Sequence, residues 1–292
     1  FLMSLAQKIA ESGVDVLYFA LEMGRDEFVA RGISSLSFQH NRDSKNKQLT
    51  AANILYWTYD ELLGDFTKLA YSQYEQYSEE YFSMYGSHLH IIESGLDGLT
   101  VKDIANLAAV FKKRKGKSVV VFVDYLQIIK ADRSQSDRKT KMDVVVTTLK
   151  TLASQIGMPV VTVSSISRAN YSGTIGTSAF KESGDTEYTG GVLIGWNWSG
   201  VTDQKDKSKQ NEEKVLCKKR GYRKMELGIL KYRNSERDSS VHLKYYPAFN
   251  YFEEDKDWKS NSASEESDEV WVSDEGMDNL FDSKKRKTVI KA

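Results

Sequence analysis

Hydrophobic positions along the chain form two patterns, one typical of helices and one typical of buried strands. Leu2, Leu5, Ala6 and Ile9 recur at helical spacing and predict a helix over 1–12. Further helices are predicted over 26–36, 50–84, 101–113 and 142–156. Apolar runs predict strands over 14–21, 89–92, 118–123, 159–164, 191–196, 227–232 and 241–246. The last two strands are candidates for a hairpin.

The alternation of strands with helices indicates the fold class. Strand–helix–strand units favour a mostly parallel sheet, and fully apolar strands suit a sheet that helices cover on both faces. We therefore predict an α/β fold with a mostly parallel central sheet flanked by helices and a C-terminal β-hairpin. Ligands in such folds bind at the carboxyl ends of the strands, so functional residues are expected just after the strands.

Two polar segments are predicted to be disordered. Residues 202–213 are polar and charged, with few side chains to bury. Residues 253–292 are first acidic and serine-rich, and then carry the basic cluster 284–287. A solvated tail is the favoured interpretation of that cluster, and a contact with nucleic acid or a partner is the alternative. We predict one domain over 1–252, followed by a disordered tail over 253–292.

Composition narrows the class of protein. The 292 residues are 40% hydrophobic, enough for one large domain with its own core. Lys+Arg and Asp+Glu both number 41, so a site for a polyanion must be a local patch. The single cysteine, Cys217, excludes an internal disulfide framework and favours a cytoplasmic location. No apolar run approaches the roughly 18 residues of a membrane span, so no membrane partner is expected.

Two carboxylates follow predicted strands. Asp124 ends the apolar strand over 118–123, where a nucleotide-hydrolysing site needs a carboxylate to hold Mg²⁺. The alternative role for Asp124 is a helix cap or turn former. Glu22 follows the strand over 14–21 and could polarise the water that attacks a γ-phosphate. The alternative role for Glu22 is a favourable charge at the start of the next helix.

Two further segments could contact phosphate groups. Ser164 and Ser165 end a strand and begin a long glycine- and serine-rich stretch, which suits phosphate sensing coupled to movement. Lys231 and Arg233 are two residues apart in a strand, so they point to one face and could reach a neighbouring molecule's nucleotide. An ordinary loop and a pair of solvated edge-strand cations are the alternatives.

Two other patterns are interpreted as structural. The triplet Gly116-Lys117-Ser118 resembles the end of a phosphate loop, but Phe111 stands where that loop needs a glycine. A strand rather than a helix also follows the triplet. His88 and His90 would share a strand face, yet their spacing shows no cysteine or carboxylate partner. Structural histidines are therefore favoured over a metal site.

Five sequence blocks, in order, resemble the family of DnaB-type replicative DNA helicases. The most specific block, Val123-Asp124-Tyr125-Leu126-Gln127-Ile128-Ile129, is very similar to the family's Ile-Asp-Tyr-Leu-Gln-Leu segment. The other blocks lie at 17–23, 149–161, 181–184 and 231–234. The resemblance runs from residue 1 to about residue 252 and corresponds to the family's C-terminal RecA-like ATPase domain.

The resemblance implies a RecA-like P-loop NTPase fold with ATP and Mg²⁺ as cofactors. By this resemblance, Glu22 would be the catalytic base that orients water, and Asp124 would hold Mg²⁺. Ser165 takes the place of a residue that senses the γ-phosphate. Lys231 and Arg233 reach the γ-phosphate of the neighbour's nucleotide across a subunit interface. The implied activity is ATP-dependent unwinding of duplex DNA in the 5′-to-3′ direction.

The same resemblance implies macromolecular partners. Lys181, Glu182 and Gly184 would lie on a loop that grips single-stranded DNA, and a cation beside an open glycine backbone can track phosphates without reading sequence. The family acts as a homo-hexameric ring around one strand. Primase and a helicase loader are the further partners that the resemblance suggests.

The sequence also departs from the family. Ser165 stands where the family has Gln, and Lys181 stands where it has Arg. The phosphate loop and the first strand are missing, so we expect that the sequence begins just after that loop and that this chain alone does not hydrolyse ATP. Two alternatives therefore stay open. One is a degenerate, non-catalytic ring or DNA-binding subunit, and the other is a RecA- or KaiC-like ATPase.

Overall fold

The chain divides into two compact units, Phe1–Lys256 and Asp257–Ala292. The structure, a computed structural model, describes residues 1–55, 64–130, 138–165, 175–176, 190–232 and 239–258. The last strand ends at Glu254, just beyond the predicted domain boundary at 252. Residues 259–292, with the basic cluster 284–287, lie outside the described part, so the disorder of the tail stays a prediction.

Four parallel strands form the first sheet. They are β1 (Asp15–Ala20), β2 (Leu89–Glu93), β3 (Val119–Asp124) and β4 (Val160–Thr162). Their order is β2-β1-β3-β4, and every neighbouring pair is parallel. All residues of β1 are buried, as expected for an inner strand covered on both faces. The predicted α/β fold with a parallel sheet is confirmed.

Helices pack on both faces of this sheet. The helices α1 (Leu2–Glu11), α2 (Arg25–His40), α3 (Ala51–Leu55) and α4 (Gly64–Tyr85) lie on one face. The helices α5 (Val101–Lys115) and α6 (Arg138–Gln155) lie on the other. The helix predicted over 50–84 thus comprises α3 and α4, and residues 56–63 between them are outside the described part. Within the described ranges, no helix has the length and apolar character to cross a membrane.

Successive residues of β1 belong to two different hydrophobic cores. Val16, Tyr18 and Ala20 pack in the core that contains α1, α2 and α4. Leu17 and Phe19 pack in the core that contains α5 and α6. This alternation follows from the two-residue period of a strand. It places Tyr18, the side chain with a hydroxyl, on the α2 side of the sheet.

Helix α5 begins and ends with strong local signals. Thr100 and Asp103 form a capping box, in which the Thr100 hydroxyl accepts from the Asp103 N–H and the Asp103 carboxylate accepts from the Thr100 N–H. The helix stops at Gly116, whose φ of 64° is a left-handed conformation that glycine adopts at little cost. Gly116 is therefore a helix C-cap, in agreement with its exclusion as part of a phosphate loop.

A second, antiparallel sheet follows in sequence. Its strands, in spatial and sequence order, are β5 (Val192–Trp198), β6 (Arg223–Tyr232), β7 (Ser240–Tyr246) and β8 (Tyr251–Glu254). The pairing of β6 with β7 confirms the predicted hairpin. β5 and β8 extend this hairpin to four strands.

The second sheet is attached to the C-terminal end of α2. The ring of Phe38 lies 4.7 Å from the rings of Tyr246 and Phe249. Arg42, just beyond α2, forms an ion pair of 2.5 Å with Glu253. The aromatic contacts supply apolar burial, and the ion pair fixes β8 beside the helix end.

The prediction of disorder over 202–213 is wrong. Helix α7 (Lys207–Arg220) covers most of that segment. Asp206 caps the helix by accepting from the Ser208 N–H at 2.8 Å, and Arg220 forms an ion pair of 2.6 Å with Glu213. The segment has few apolar residues, so hydrophobic periodicity did not reveal the helix. Capping and ion pairing define it instead.

Candidate functional site

The two carboxylates singled out from the sequence lie at the same edge of the parallel sheet. Ala20, the last residue of β1, is in register with both Glu93 of β2 and Asp124 of β3. The Leu21 N–H donates to the backbone oxygen of Asp124 at 3.1 Å. Glu22 is the residue after Leu21, so its backbone lies close to that of Asp124. Glu22 is exposed to solvent, and Asp124 is half-buried.

A buried phenol holds one oxygen of the Asp124 carboxylate. The hydroxyl of Tyr18 donates to Oδ2 of Asp124 at 2.8 Å. Burial, followed by the influence of Asp124, raises the pKa of Tyr18, so the phenol stays protonated and remains a donor. Tyr18 could not be singled out from the sequence, because a tyrosine in an apolar strand has the same pattern as an ordinary core residue.

The N-terminal end of α1 lies beside the same carboxylate. Phe1, the N-cap residue of α1, lies close enough to Asp124 for the two to interact electrostatically. The N-terminus of a helix carries partial positive charge and unsatisfied N–H groups, which attract anions such as phosphate. The edge thus combines a half-buried carboxylate with an electropositive helix end.

A third carboxylate, Glu93, caps the neighbouring helix. Its Oε1 accepts from the backbone N–H of Arg25 at 2.6 Å, at the start of α2. This contact gives a helix N–H a hydrogen-bond partner, and the negative charge of Glu93 interacts favourably with the helix dipole. Glu93 was not singled out from the sequence. It directly follows the strand predicted over 89–92, which is where functional residues are expected.

Gln127 connects the turn after β3 to the end of β4. Its side-chain nitrogen donates to Ser164 Oγ at 3.0 Å and to the backbone oxygen of Ser165 at 3.1 Å. Its side-chain oxygen accepts from the Ser165 N–H at 3.2 Å. Ser165, the candidate phosphate sensor, is exposed. The bonds from Gln127 hold its backbone next to the turn that follows Asp124. Gln127 belongs to the Asp-Tyr-Leu-Gln block, although the sequence analysis assigned it no role of its own.

The other predicted site residues are not part of this edge in the described structure. Lys231 lies on β6 of the second sheet, in register with Leu193. Arg233 and the three predicted DNA contacts, Lys181, Glu182 and Gly184, lie outside the described residues. Their roles therefore stay predictions.

The side chains at the edge suit a hard divalent cation. Asp124, Glu22 and Glu93 offer carboxylate oxygens, which are the ligands that Mg²⁺ prefers. No cluster of three or more His, Cys, Asp or Glu side chains placed to hold a metal occurs in the described part of the chain. Mg²⁺ does not need such a cluster, because it usually keeps several waters and binds one or two carboxylates together with substrate phosphates. The residues present therefore fit Mg²⁺ bound with a nucleotide.

His88 and His90 lie at the opposite, amino end of the sheet, His88 just before β2 and His90 within it. Their ring nitrogens are 3.4 Å (His88) and 3.3 Å (His90) from Oδ1 of the buried Asp15, and Lys115 Nζ is 3.1 Å from the same oxygen. Burial acts to raise the pKa of Asp15, but the hydrogen bonds from Lys115 and the histidines outweigh it and lower that pKa. These contacts support the structural interpretation of both histidines. Asp15 is the carboxylate partner that their spacing did not reveal.

Comparison with known proteins gives a consistent result. Residues 1–254 match the family model described as DnaB-like helicase C terminal domain. The replicative DNA helicase DnaB of Haemophilus influenzae is 27% identical over 169 residues, which are 58% of this chain and 32% of that protein. The match thus spans about a third of the length of that curated relative.

Two solved structures share the fold. One, described as an ATPase domain, has a TM-score of 0.66 and 19% identity, and the match covers 86% of this chain and 78% of that one. A DnaB-like replicative helicase, studied with its interactions with primase, has a TM-score of 0.62 and 20% identity, over 85% of this chain and 52% of that one. At these identities the likeness concerns the fold, which is that of a RecA-like ATPase domain.

Proposed function

The chain belongs to the DnaB-like helicase C-terminal domain family, and from that premise we propose that it is the ATP-hydrolysing motor domain of a replicative DNA helicase. The placement of Glu22 and Asp124 at one sheet edge, beside the N-terminus of α1, is the observation that supports this most directly. The edge brings together a candidate base, a candidate Mg²⁺ ligand and an anion-attracting helix end, which are three of the parts used in phosphoryl transfer.

Each carboxylate has a distinct proposed task. Asp124 is half-buried and would hold Mg²⁺, usually through water. When bound, Mg²⁺ would neutralise negative charge on the phosphate oxygens. Glu22 is exposed and adjacent, so it would orient the attacking water and accept its proton.

We further propose that the active protein is a homo-hexameric ring. Lys231 lies in the second sheet, which suits a residue that acts on a neighbour's nucleotide rather than its own. Together with Arg233 it would place positive charge near the γ-phosphate across a subunit interface. Ser165, whose backbone is held by Gln127, would sense the γ-phosphate in the place of the family's Gln.

Single-stranded DNA is the proposed track of the motor. Lys181, Glu182 and Gly184 would contact the strand, and hydrolysis at successive interfaces would move these contacts along it in the 5′-to-3′ direction. Primase is a proposed partner, because a structural neighbour is described with its interactions with primase. A helicase loader is a second proposed partner, and the cytoplasm is the proposed location.

A second candidate function is a non-catalytic ring or DNA-binding subunit. One substitution relative to the family favours it, namely Ser165 in place of Gln. Ser is shorter than Gln and therefore reaches less far toward a phosphate. A RecA- or KaiC-like ATPase is less well supported, because the family model spans residues 1–254.

The test uses the protein expressed from its complete reading frame. Mg²⁺-dependent ATP hydrolysis is measured with and without single-stranded DNA, and unwinding is measured on a forked duplex. We expect DNA-stimulated hydrolysis and ATP-dependent unwinding. DNA binding without hydrolysis would identify the non-catalytic subunit, and hydrolysis without unwinding would favour the RecA- or KaiC-like alternative.

A further inference from the structure

Tyr18 and Asp124 lie on neighbouring strands and on the same face of the sheet. Tyr18 is in register with Phe122 of β3, and Asp124 is two residues further along the same strand. Such diagonal neighbours are further apart than directly opposed residues, but a long aromatic side chain can span the gap. The 2.8 Å hydrogen bond from the Tyr18 hydroxyl to Asp124 Oδ2 shows that it does so.

The aromatic ring of Tyr18 packs against two other aromatic rings. The residue is completely buried, with its ring 4.7 Å from the ring of Phe28 and 5.7 Å from that of Phe122. A buried hydroxyl is costly unless it has a hydrogen-bond partner. Here the partner is the carboxylate at the sheet edge. The packing therefore holds the hydroxyl in one position, and the hydroxyl in turn holds Asp124.

We propose that Tyr18 is a positioning residue that orients the Asp124 carboxylate for the divalent cation. This inference rests on the proposed function, in which Asp124 holds Mg²⁺. With Oδ2 occupied by the phenol, rotation of the carboxylate is restricted and Oδ1 is the oxygen left for the cation or its water. Side chains that orient a metal ligand commonly change metal affinity when they are removed, even though they do not touch the metal.

The experiment compares Tyr18→Phe with a matched control in the protein expressed from its complete reading frame. Tyr18→Phe keeps the ring and removes only the hydroxyl. Tyr81→Phe is the control, because Tyr81 is also buried and its hydroxyl lies 3.4 Å from Gln7 in the core. Asp124→Asn tests the proposed ligand itself. Binding of Mn²⁺, a spectroscopic substitute for Mg²⁺, is measured by electron paramagnetic resonance with a non-hydrolysable ATP analogue, and unfolding in urea is measured on the same samples.

We expect Tyr18→Phe to weaken Mn²⁺ binding by about tenfold, while Tyr81→Phe stays near wild type. The Mg²⁺ concentration for half-maximal hydrolysis should rise in parallel, with kcat at saturating Mg²⁺ little changed. Wild-type Mn²⁺ affinity in Tyr18→Phe, together with loss of binding in Asp124→Asn, would overturn the role of Tyr18 and leave the proposed function intact. Unchanged binding in Asp124→Asn would contradict both.

A crystal structure of the wild-type Mn²⁺ complex provides a measurement that does not depend on the folding of a variant. The Tyr18 hydroxyl should remain within hydrogen-bonding distance of Asp124 Oδ2 while the metal, or its bound water, contacts Oδ1. A metal on Oδ2, with the phenol displaced, would overturn the inference.

Discussion

The side-chain amide of Gln127 pairs with the backbone of Ser165 through two hydrogen bonds, donating at 3.1 Å and accepting at 3.2 Å. This pairing joins the turn that follows the Asp124 strand to the segment that leaves β4. Both segments lie at the proposed nucleotide edge, and this pairing adds to the 3.0 Å bond from the Leu126 N–H to the backbone oxygen of Val163 in fixing their relative position.

Replacement of Gln127 by Ala should loosen this connection. Loss of these hydrogen bonds is expected to lower the free energy of unfolding by about 1–2 kcal/mol, since a single bond contributes about 1 kcal/mol. Urea unfolding measures this change. Gln39→Ala is the control, because Gln39 lies on the surface of α2 and its side chain bonds to Ser35 in its own helix. Equal stability of the two variants would contradict the proposed connection.

Replacement of Glu22 by Gln should remove the proposed base. We expect kcat for ATP hydrolysis to fall by at least about 100-fold, with ATP affinity retained, because Gln keeps the size of the side chain and cannot accept the proton. Steady-state hydrolysis and binding of a fluorescent ATP analogue distinguish the two effects. Glu212→Gln, at an exposed position of α7, should behave as wild type. Retention of full turnover by Glu22→Gln would exclude this role.

Asp15 should make stability depend on pH in the acidic range. Its folded-state pKa is lowered by Lys115 and the two histidines, against the opposing effect of burial. The unfolded chain, with an aspartate pKa of about 3.9, therefore binds the proton more tightly. The stabilisation is fully present above that pH and is lost as the pH falls through the folded-state pKa.

Urea unfolding between pH 3 and pH 7 tests this dependence in wild type and in Asp15→Asn. The variant should be less stable at neutral pH and should lose less stability on acidification. Asp97→Asn, at an exposed position, is the control. Identical acid-dependent slopes in wild type and Asp15→Asn would show that the Asp15 cluster does not produce the effect.

The cap of α7 predicts local protection from hydrogen exchange. Peptides that cover Lys207–Arg220 should exchange slowly in wild type, and Asp206→Ala should accelerate their exchange because a lost N-cap costs about 1 kcal/mol. Lys209→Ala, within the same helix, should have little effect. Rapid exchange of these peptides in the wild-type protein would mean that the helix is not stable in solution.

The parallel sheet was predictable because its two inner strands, β1 and β3, are largely buried. β1 and β3 are continuous apolar runs, so their sequence pattern reports their environment directly. The placement of Glu22 and Asp124 at one edge was also predictable, since each lies at or just after the end of an apolar run and parallel strands bring their carboxyl ends to a common edge. Local sequence was sufficient for these features.

Other features depend on partners that are distant in sequence. The assignment of β5 and β8 to a separate antiparallel sheet follows from pairing rather than from composition. Tyr18 carries the same apolar signal as its neighbours, and its hydrogen bond joins residues 106 positions apart. Asp15 likewise meets His90 only after β1 and β2 pair. Helix α7 was missed because its stabilising contacts are polar.

Helix α2 connects the proposed nucleotide edge of the parallel sheet with the second sheet. Its first turn is anchored at the proposed nucleotide edge by Glu93, and its far end carries Phe38 against the aromatic rings of the second sheet. With 16 residues it is about 24 Å long at 1.5 Å per residue. The ring of Phe1, at the start of α1, also lies 5.0 Å from that of Trp196 and 5.8 Å from that of Phe252 in the second sheet. The sheet that carries Lys231 is therefore joined to the proposed nucleotide edge both directly and through α2.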